Sequence, residues 1–535
     1  MRALPGLSAV IALGLVAGAA ASALGAAGDV ITTYGTDGTA VATGFSGYQS
    51  MGSELDSQGR LLMASGSGQG LAVNRITATG DIDSSFGSSG TALASVDPSY
   101  PENDALAVDS QDRALLASYT FNGTSGEFEG YVERYDANGD PDSSFGTGGL
   151  ASVPELPLLY GVDTDATDRV LLAGYGVDGF DVARLTDTGG LDASFGGDGA
   201  VSAEFAGNER AYTVIAAPGG KVLAGGTGGG GIVGPMALAR FNADGTLDTS
   251  FSGDGKVTLD TPGWFGTVQT LTIDPLGRIV AAGWLSTCQL KDTCPTYTMV
   301  WAVARFTKKG KPDATFGGGD GLVTLKPSRA ANKQQYAYGV AVDSHGSIYV
   351  AGSTVGVSFP VFAMLHDDGS PAVGTRGMIQ DATNGSSHAV VLDGNRVLWA
   401  GASVGGTPWT QARRPVPAPK PAVTVRKPTG AVKVFTGTAG PSYAGVSRVR
   451  FALWLHDTKL ERKGKCRVLS GPGPTFVTEP KVAGVCEPHW LKAKGTTAWK
   501  YTLRKALAKG SYTAYGEVTL LYGDTKTRTR SFNVG

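Results

Sequence analysis

Arg240-Phe-Asn-Ala-Asp-Gly245-Thr-Leu-Asp248-Thr-Ser-Phe251 closes one apolar strand and opens a turn, and the phrase recurs along the chain. It returns at Arg75, Gly80, Asp83 and Phe86; at Arg134, Gly139, Asp142 and Phe145; at Arg184, Gly189, Asp192 and Phe195; and at Arg305, Gly310, Asp313 and Phe316. In sequence order the turn glycines lie 59, 50, 56 and 65 residues apart, and a worn copy at Gly369 follows 59 further on. A period of this length marks stacked supersecondary units, each burying its core only against its neighbours.

Between these phrases the order is constant. A short segment such as Gly255-Lys-Val-Thr-Leu comes first, then an apolar strand ending in Asp and a turn, then a second apolar strand, then the strand that carries Arg. The hairpin turns give an independent count: Gly59-Arg60, Asp112-Arg113, Asp168-Arg169, Gly220-Lys221, Gly277-Arg278, Gly346-Ser347 and Asn395-Arg396, seven in all. Four short strands per period with Asn, Asp and Gly turns fit a β-propeller blade. The fold class expected is therefore all-β, with a seven-bladed β-propeller over residues 28–414. Trp409-Thr-Gln-Ala-Arg413 matches the earlier Ala-Leu-Ala-Arg ending, so it is read as the fourth strand of the last blade with Arg413 as its signature arginine, and this complete seventh copy argues against an open β-solenoid.

The signature residues need no ligand to explain them. Gly supplies positive φ, and Asp followed by Ser or Thr caps the loop to the next unit. Phe is suited to wedge between units, with Arg pairing to the Asp or stacking on the ring. The Arg240–Phe251 phrase with its trailing Gly-Asp-Gly-Lys-Val, and the hairpin Asp274 to Gly283, resemble the bacterial delta-60 repeat. The resemblance covers about residues 30–414. It fades at both ends, where Tyr34 replaces Phe and the Gly369 copy lacks Arg and Phe-Gly. It implies a propeller-like fold and export, and brings no catalytic residues.

Met1-Arg2-Ala3 followed by an uncharged run reads as a signal peptide over residues 1–23, with Ala21-Ser22-Ala23 as the cleavage candidate. The rival is an uncleaved anchor helix, which the Ala/Gly-rich composition disfavours. Pro415-Val-Pro-Ala-Pro-Lys-Pro421 is expected to form a stiff linker. Beyond it, residues 422–535 alternate as some seven short strands, the pattern of an immunoglobulin-like β-sandwich. The stretch from Leu507 to Val534 resembles the Ig-like domains appended to many exported bacterial proteins. Two local disulfides are expected, Cys288 with Cys294 and Cys466 with Cys486. A zinc site on Cys466, Cys486 and His489 lacks a fourth ligand.

Charge divides the chain. Residues 421–535 hold 20 Lys/Arg against 6 Asp/Glu, and the remainder 25 against 41. The near-neutral total thus hides a net +14 beside a net −16. Lys459, Arg462, Lys463, Lys465 and Arg467 form the densest basic run, a candidate for holding an anionic envelope polymer. Aspartates at 136, 140 and 142 and at 163, 165 and 168 fail the spacing of a calcium loop. Neither a metal nor a cofactor is expected, and the five histidines form no catalytic motif. The expectation is an exported, monomeric, non-enzymatic binding protein of the cell surface or extracellular space, with no transmembrane anchor and no specific nucleic-acid readout. Its partner would be an envelope polymer or a surface protein. The alternative is a hydrolase or lyase acting on an extracellular polymer from the propeller channel.

Overall fold

The computed structural model describes residues 27–41, 50–67, 70–96, 106–176, 179–205, 207, 209–229, 234–288, 297–327, 334–354, 360–373, 377–380, 385–394, 396–403, 407–426, 434–441, 446–471, 476–481, 486–496 and 498–534. The expected signal segment lies outside them. The architecture is all-β. Among the described residues there are seven four-stranded antiparallel sheets before residue 414, and a three-stranded and a six-stranded sheet after it. Among the described residues one five-residue helix spans Thr458–Arg462.

Each of the first six sheets uses four strands in sequence order, as in the fourth: Arg210–Ala217, Lys221–Thr227, Met236–Phe241 and Lys256–Thr258. The short segment after each signature phrase therefore belongs to the sheet before it, as its outermost strand. This corrects the expected order by one strand. In the seventh sheet Pro408–Arg413 is the third strand, and the fourth comes from the opposite end of the chain. Thr39–Val41 pairs there, with Thr39 opposite Gln411 and Val41 opposite Trp409. The innermost strands touch in succession, and that of the seventh sheet (Gly385–Asp393) returns to that of the first (Ser50–Leu55).

The cores lie between neighbouring sheets. Leu223, Leu238 and Phe251 of the fourth pack with Val268, Leu271 and Ala302 of the fifth. Burying such side chains stabilises by about 1.5–3 kcal/mol each, and no sheet has a second apolar face to offer except to its neighbour.

The signature phrase builds the seams. Arg184 donates to Asp192 (2.7 Å) and to Ser194 (3.0 Å), and lies 4.6 Å over the Phe195 ring. It also reaches the Ala243 carbonyl of the next copy at 2.8 Å. The same stack recurs at Arg75, Arg134, Arg240 and Arg305. Each Phe-Gly receives the following turn through one backbone bond, as in Gly146 N–H to Thr188 (2.8 Å) and Gly196 N–H to Asp244 (2.9 Å). The turn glycine is required there. Gly139 has φ +87°, and a Cβ on it would lie 2.6 Å from the Gly87 nitrogen.

The last two sheets depart from this pattern. Register with the hairpin turns places Met364 and Ala412 where the other copies carry Arg. Arg413 sits one residue further, on the opposite side of its strand, over Trp399 (5.1 Å) and donating to Gly28 (2.7 Å). Reading Arg413 as the signature arginine was thus off by one. In place of the ion pair, Tyr349, Phe362, Trp399 and Val416 form a buried cluster. Val416 belongs to the expected linker, so the start of that segment is anchored and does not act as a free spacer.

After residue 421 the three-stranded sheet comprises Ala422–Val423, Val434–Gly440 and Ala498–Thr502. The larger sheet is built on Val446–Leu455, Gly510–Leu520 and Thr525–Val534. Phe435, Phe451, Trp499 and Phe532 fill the space between them. Cys466 and Cys486 form the expected disulfide, which leaves no thiolates for zinc. Cys294 lies outside the described residues, and so does the other expected pair. Tyr522 of this region donates to Asp367 (2.9 Å) beside Arg278, so the acidic and basic parts touch.

Candidate functional site

The innermost strands enclose a cavity of about 510 Å³. Two residues before each turn-forming Asp, or its equivalent Ala217, the side chains are Glu54, Ala107, Asp163, Ile215, Thr272, Ala341 and Val391. Only two of these ionise. Burial in the channel wall pushes the Asp163 carboxyl up to about 6, although the Ala216 and Thr164 N–H groups donate to it at 2.7 and 2.8 Å. Both of its oxygens are engaged by backbone, which suits a strut between the third and fourth sheets better than a proton carrier.

Nearer one mouth, the innermost strands are irregular at one shared step. The register shifts in the first, third, fourth, fifth, sixth and seventh sheets, each time five residues before the turn. The extra residues are Met51, Tyr160, Tyr212, Gln269, Tyr338 and His388; the equivalent Asp104 lies outside the described residues. A bulge bends its strand and re-aims one side chain, and bulges concentrate next to sites. The next residue is small. At Gly161 a Cβ would meet the Tyr212 carbonyl oxygen at 2.9 Å, and at Gly339 it would meet the Ala389 Cα at 2.9 Å. Close approach of adjacent innermost strands is what glycine permits there.

Two arcs of rings result. One runs from Phe121 and Phe128 through Tyr119 to Tyr160 and Tyr212, with centroid separations of 5.2, 5.8, 6.1 and 5.0 Å. The other joins Trp284, Tyr336, Tyr338 and His388 at 6.1, 5.6 and 4.6 Å. Tyr119, Tyr160 and His388 are buried and back the rest, while Phe121 and Phe128 are 48% and 37% exposed. Burial pushes the Tyr336 hydroxyl up to about 12, so it stays a neutral hydrogen-bonding group.

The five basic residues singled out in the sequence come together on the short helix Thr458–Arg462 and the following strand Lys465–Leu469. Lys459, Arg462, Lys463 and Lys465 are exposed and Arg467 is half-buried. None of the five forms an ion pair with a described residue. Ten propeller-region arginines, by contrast, pair with aspartates.

Among the described residues no group of three or more His, Cys, Asp or Glu could hold a metal ion. Asp136 accepts from Asn138 and Asp140 N–H (2.8 and 3.0 Å), a turn and not a cation loop. The bulge residues escaped the sequence reading because their type varies. Their fixed distance from the turn was the available signal.

This is an all-β, propeller-repeat protein. A β-propeller domain of unknown function (DUF5122) matches residues 218–251, and the β-propeller repeat matches residues 322–360. No curated protein matches the chain. Among solved structures, polysaccharide lyase Uly1 is similar over 65% of this chain and 88% of its own at 12% identity, TM-score 0.34. The β-propeller domain of the Trilobed protease from Pyrococcus furiosus is similar over 63% and 88% at 7% identity, TM-score 0.32. A GH43 β-1,3-galactosidase follows over 72% and 94% at 11% identity, TM-score 0.23. Likenesses this distant carry no functional weight. Among the described residues no helix is long and apolar enough to cross a membrane.

Proposed function

We propose that this is an exported, non-enzymatic binding protein of the cell surface or extracellular space. In this reading residues 1–23 are a signal and residues 28–414 are a seven-bladed propeller of delta-60-like repeats serving as the interaction platform. Residues 415–421 join it to a basic immunoglobulin-like sandwich, 422–535, which attaches to an anionic envelope polymer.

The observation that carries the reading is the unequal use of cations. Propeller arginines are spent on aspartates within the scaffold, whereas Lys459, Arg462, Lys463 and Lys465 stand exposed on one helix and the strand after it. Unpaired surface cations attract a polyanion by releasing its counterions, a driving force that falls with salt. The test is retention of the full chain on purified bacterial envelope across a salt titration. Steep loss of retention with salt is expected, with the Lys459→Gln, Arg462→Gln, Lys463→Gln, Lys465→Gln variant released at lower salt than the parent. Salt-independent retention, or identical behaviour of the variant, would reject attachment through this face.

A further inference from the structure

We propose that the channel mouth formed by the bulged strands binds a neutral glycan, an inference that rests on reading the propeller as the interaction platform. A bulge sacrifices regular pairing, and one at the same step in six sheets is a repeated geometry that directs side chains to a common rim. Tyr recurs at three of the six bulges, with Met51, Gln269 and His388 at the others; Tyr212 and Tyr338 are half-exposed, whereas Tyr160, Gln269 and His388 are buried.

The chemistry of the rim selects the ligand. Ring faces at Tyr212, Tyr336, Tyr338 and Trp284 are half-exposed; buried Tyr160 backs Tyr212 and buried His388 backs Tyr338. The C–H face of a pyranose is apolar and flat enough to stack on such rings, while its hydroxyls need neutral donors and acceptors. The half-exposed Tyr336 hydroxyl is of that kind.

The hairpin of Ala114–Asn122 and Glu127–Tyr135, nine residues a strand, extends one arc outward to exposed Phe121 and Phe128. It gives an extended chain more than one stacking step. A nucleic acid or other polyanion would need cations. Among the described residues Arg210 is a lone cation at the arcs, bonded to the Tyr212 hydroxyl and lying over Tyr175 (5.3 Å), and the chain outside 421–535 carries a net −16. An acyl chain would need a dry pocket, whereas Ser53, Glu54, Asp163 and Thr213 line the cavity beneath.

The test is calorimetric titration of the full chain with soluble gluco-, manno-, galacto-, xylo- and chito-oligosaccharides, with Trp emission read in parallel. At least one series is expected to bind with a Kd between about 10 μM and 1 mM, insensitive to salt. Tyr212→Ala with Tyr338→Ala should weaken it about tenfold or more, while Tyr212→Phe with Tyr338→Phe keeps it. If the alanine pair does not fold, hydrogen-exchange protection of residues 210–217 and 335–342 by the bound sugar locates the site in the parent chain. No binding tighter than about 10 mM in any series overturns the proposal, as does binding unchanged in the folded alanine pair or protection elsewhere. Envelope retention reports separately. Salt-sensitive retention without sugar binding would remove the glycan and leave the attachment reading standing.

Discussion

The two ends of the propeller-region sheets are built by opposite rules. At the turn end, residue type repeats: Arg, Gly, Asp and Phe return in copy after copy, and each is consumed in a seam with the next unit. At the other end the geometry repeats, a bulge at one step of the innermost strand, and residue type repeats only in part: Tyr in three sheets, Met, Gln and His in the others. Repetition of type marks a position that meets its own neighbour. Repetition of place with variation of type marks a position that meets something else.

The contrast is most sharply broken at Arg184. Its guanidinium is fully buried against Asp192 and Phe195, so Arg184→Ala takes the nearest cation from a buried carboxylate and leaves it only Arg169 at 3.5 Å, besides emptying the space over the ring. A loss of about 3–5 kcal/mol in denaturant unfolding is expected. Sugar affinity of the protein that remains folded should be unchanged, because the seam does not face the mouth.

Carboxylates of the seams and of the channel wall should respond to pH with opposite signs. Burial alone would raise Asp83, Asp142 and Asp192, but hydrogen bonds from the following Ser and the adjacent Arg outweigh it and hold them below the ordinary value. Their contribution is present above about pH 4 and disappears as pH falls below it. Asp163 is raised to about 6, so its contribution is complete below about pH 4 and is lost as pH rises through 6. That loss amounts to up to about 3 kcal/mol. Asp163→Asn should flatten the stability profile between about pH 4 and 6 and leave the acid limb in place; a profile identical to the parent would refute the assignment.

Gly339→Val tests whether the bulge level also has a fixed element. Its Cβ would press on the backbone of the seventh sheet, and a cost of about 1–3 kcal/mol is expected by thermal unfolding. Tyr522→Phe is the mildest change. It removes the hydrogen bond donated to Asp367 and the one accepted from Arg278, and should cost about 1–2 kcal/mol, seen as earlier loss of the contact between the two parts.

The turn end was legible because its residues repeat at near-constant spacing and each has a backbone reason to be there. The hairpin count matched the number of four-stranded sheets for the same reason. The assignment of strands to sheets was not legible. The outermost strand is often only three residues, as in Lys256–Thr258, and its pairing with the preceding strand leaves no mark on its composition. Arg413 misled because a one-residue shift preserves the apparent motif while turning the side chain to the other side. The bulge level needed the register of six strands before its residues lined up, since Tyr, Gln and His share no propensity that would announce them.

Thr39 finds Gln411 across 372 residues of chain. Joining ends that far apart costs about 5 kcal/mol of chain entropy before any contact repays it. The first strand made must therefore wait for nearly the last strand of the array, and no shorter nascent chain can complete the seventh sheet. Closure is in this sense a clasp fastened once, when residues up to about 413 have been made. A cut that removes residues 39–41 should leave the same open edge on the seventh sheet as one that removes its third strand at the far end of the array.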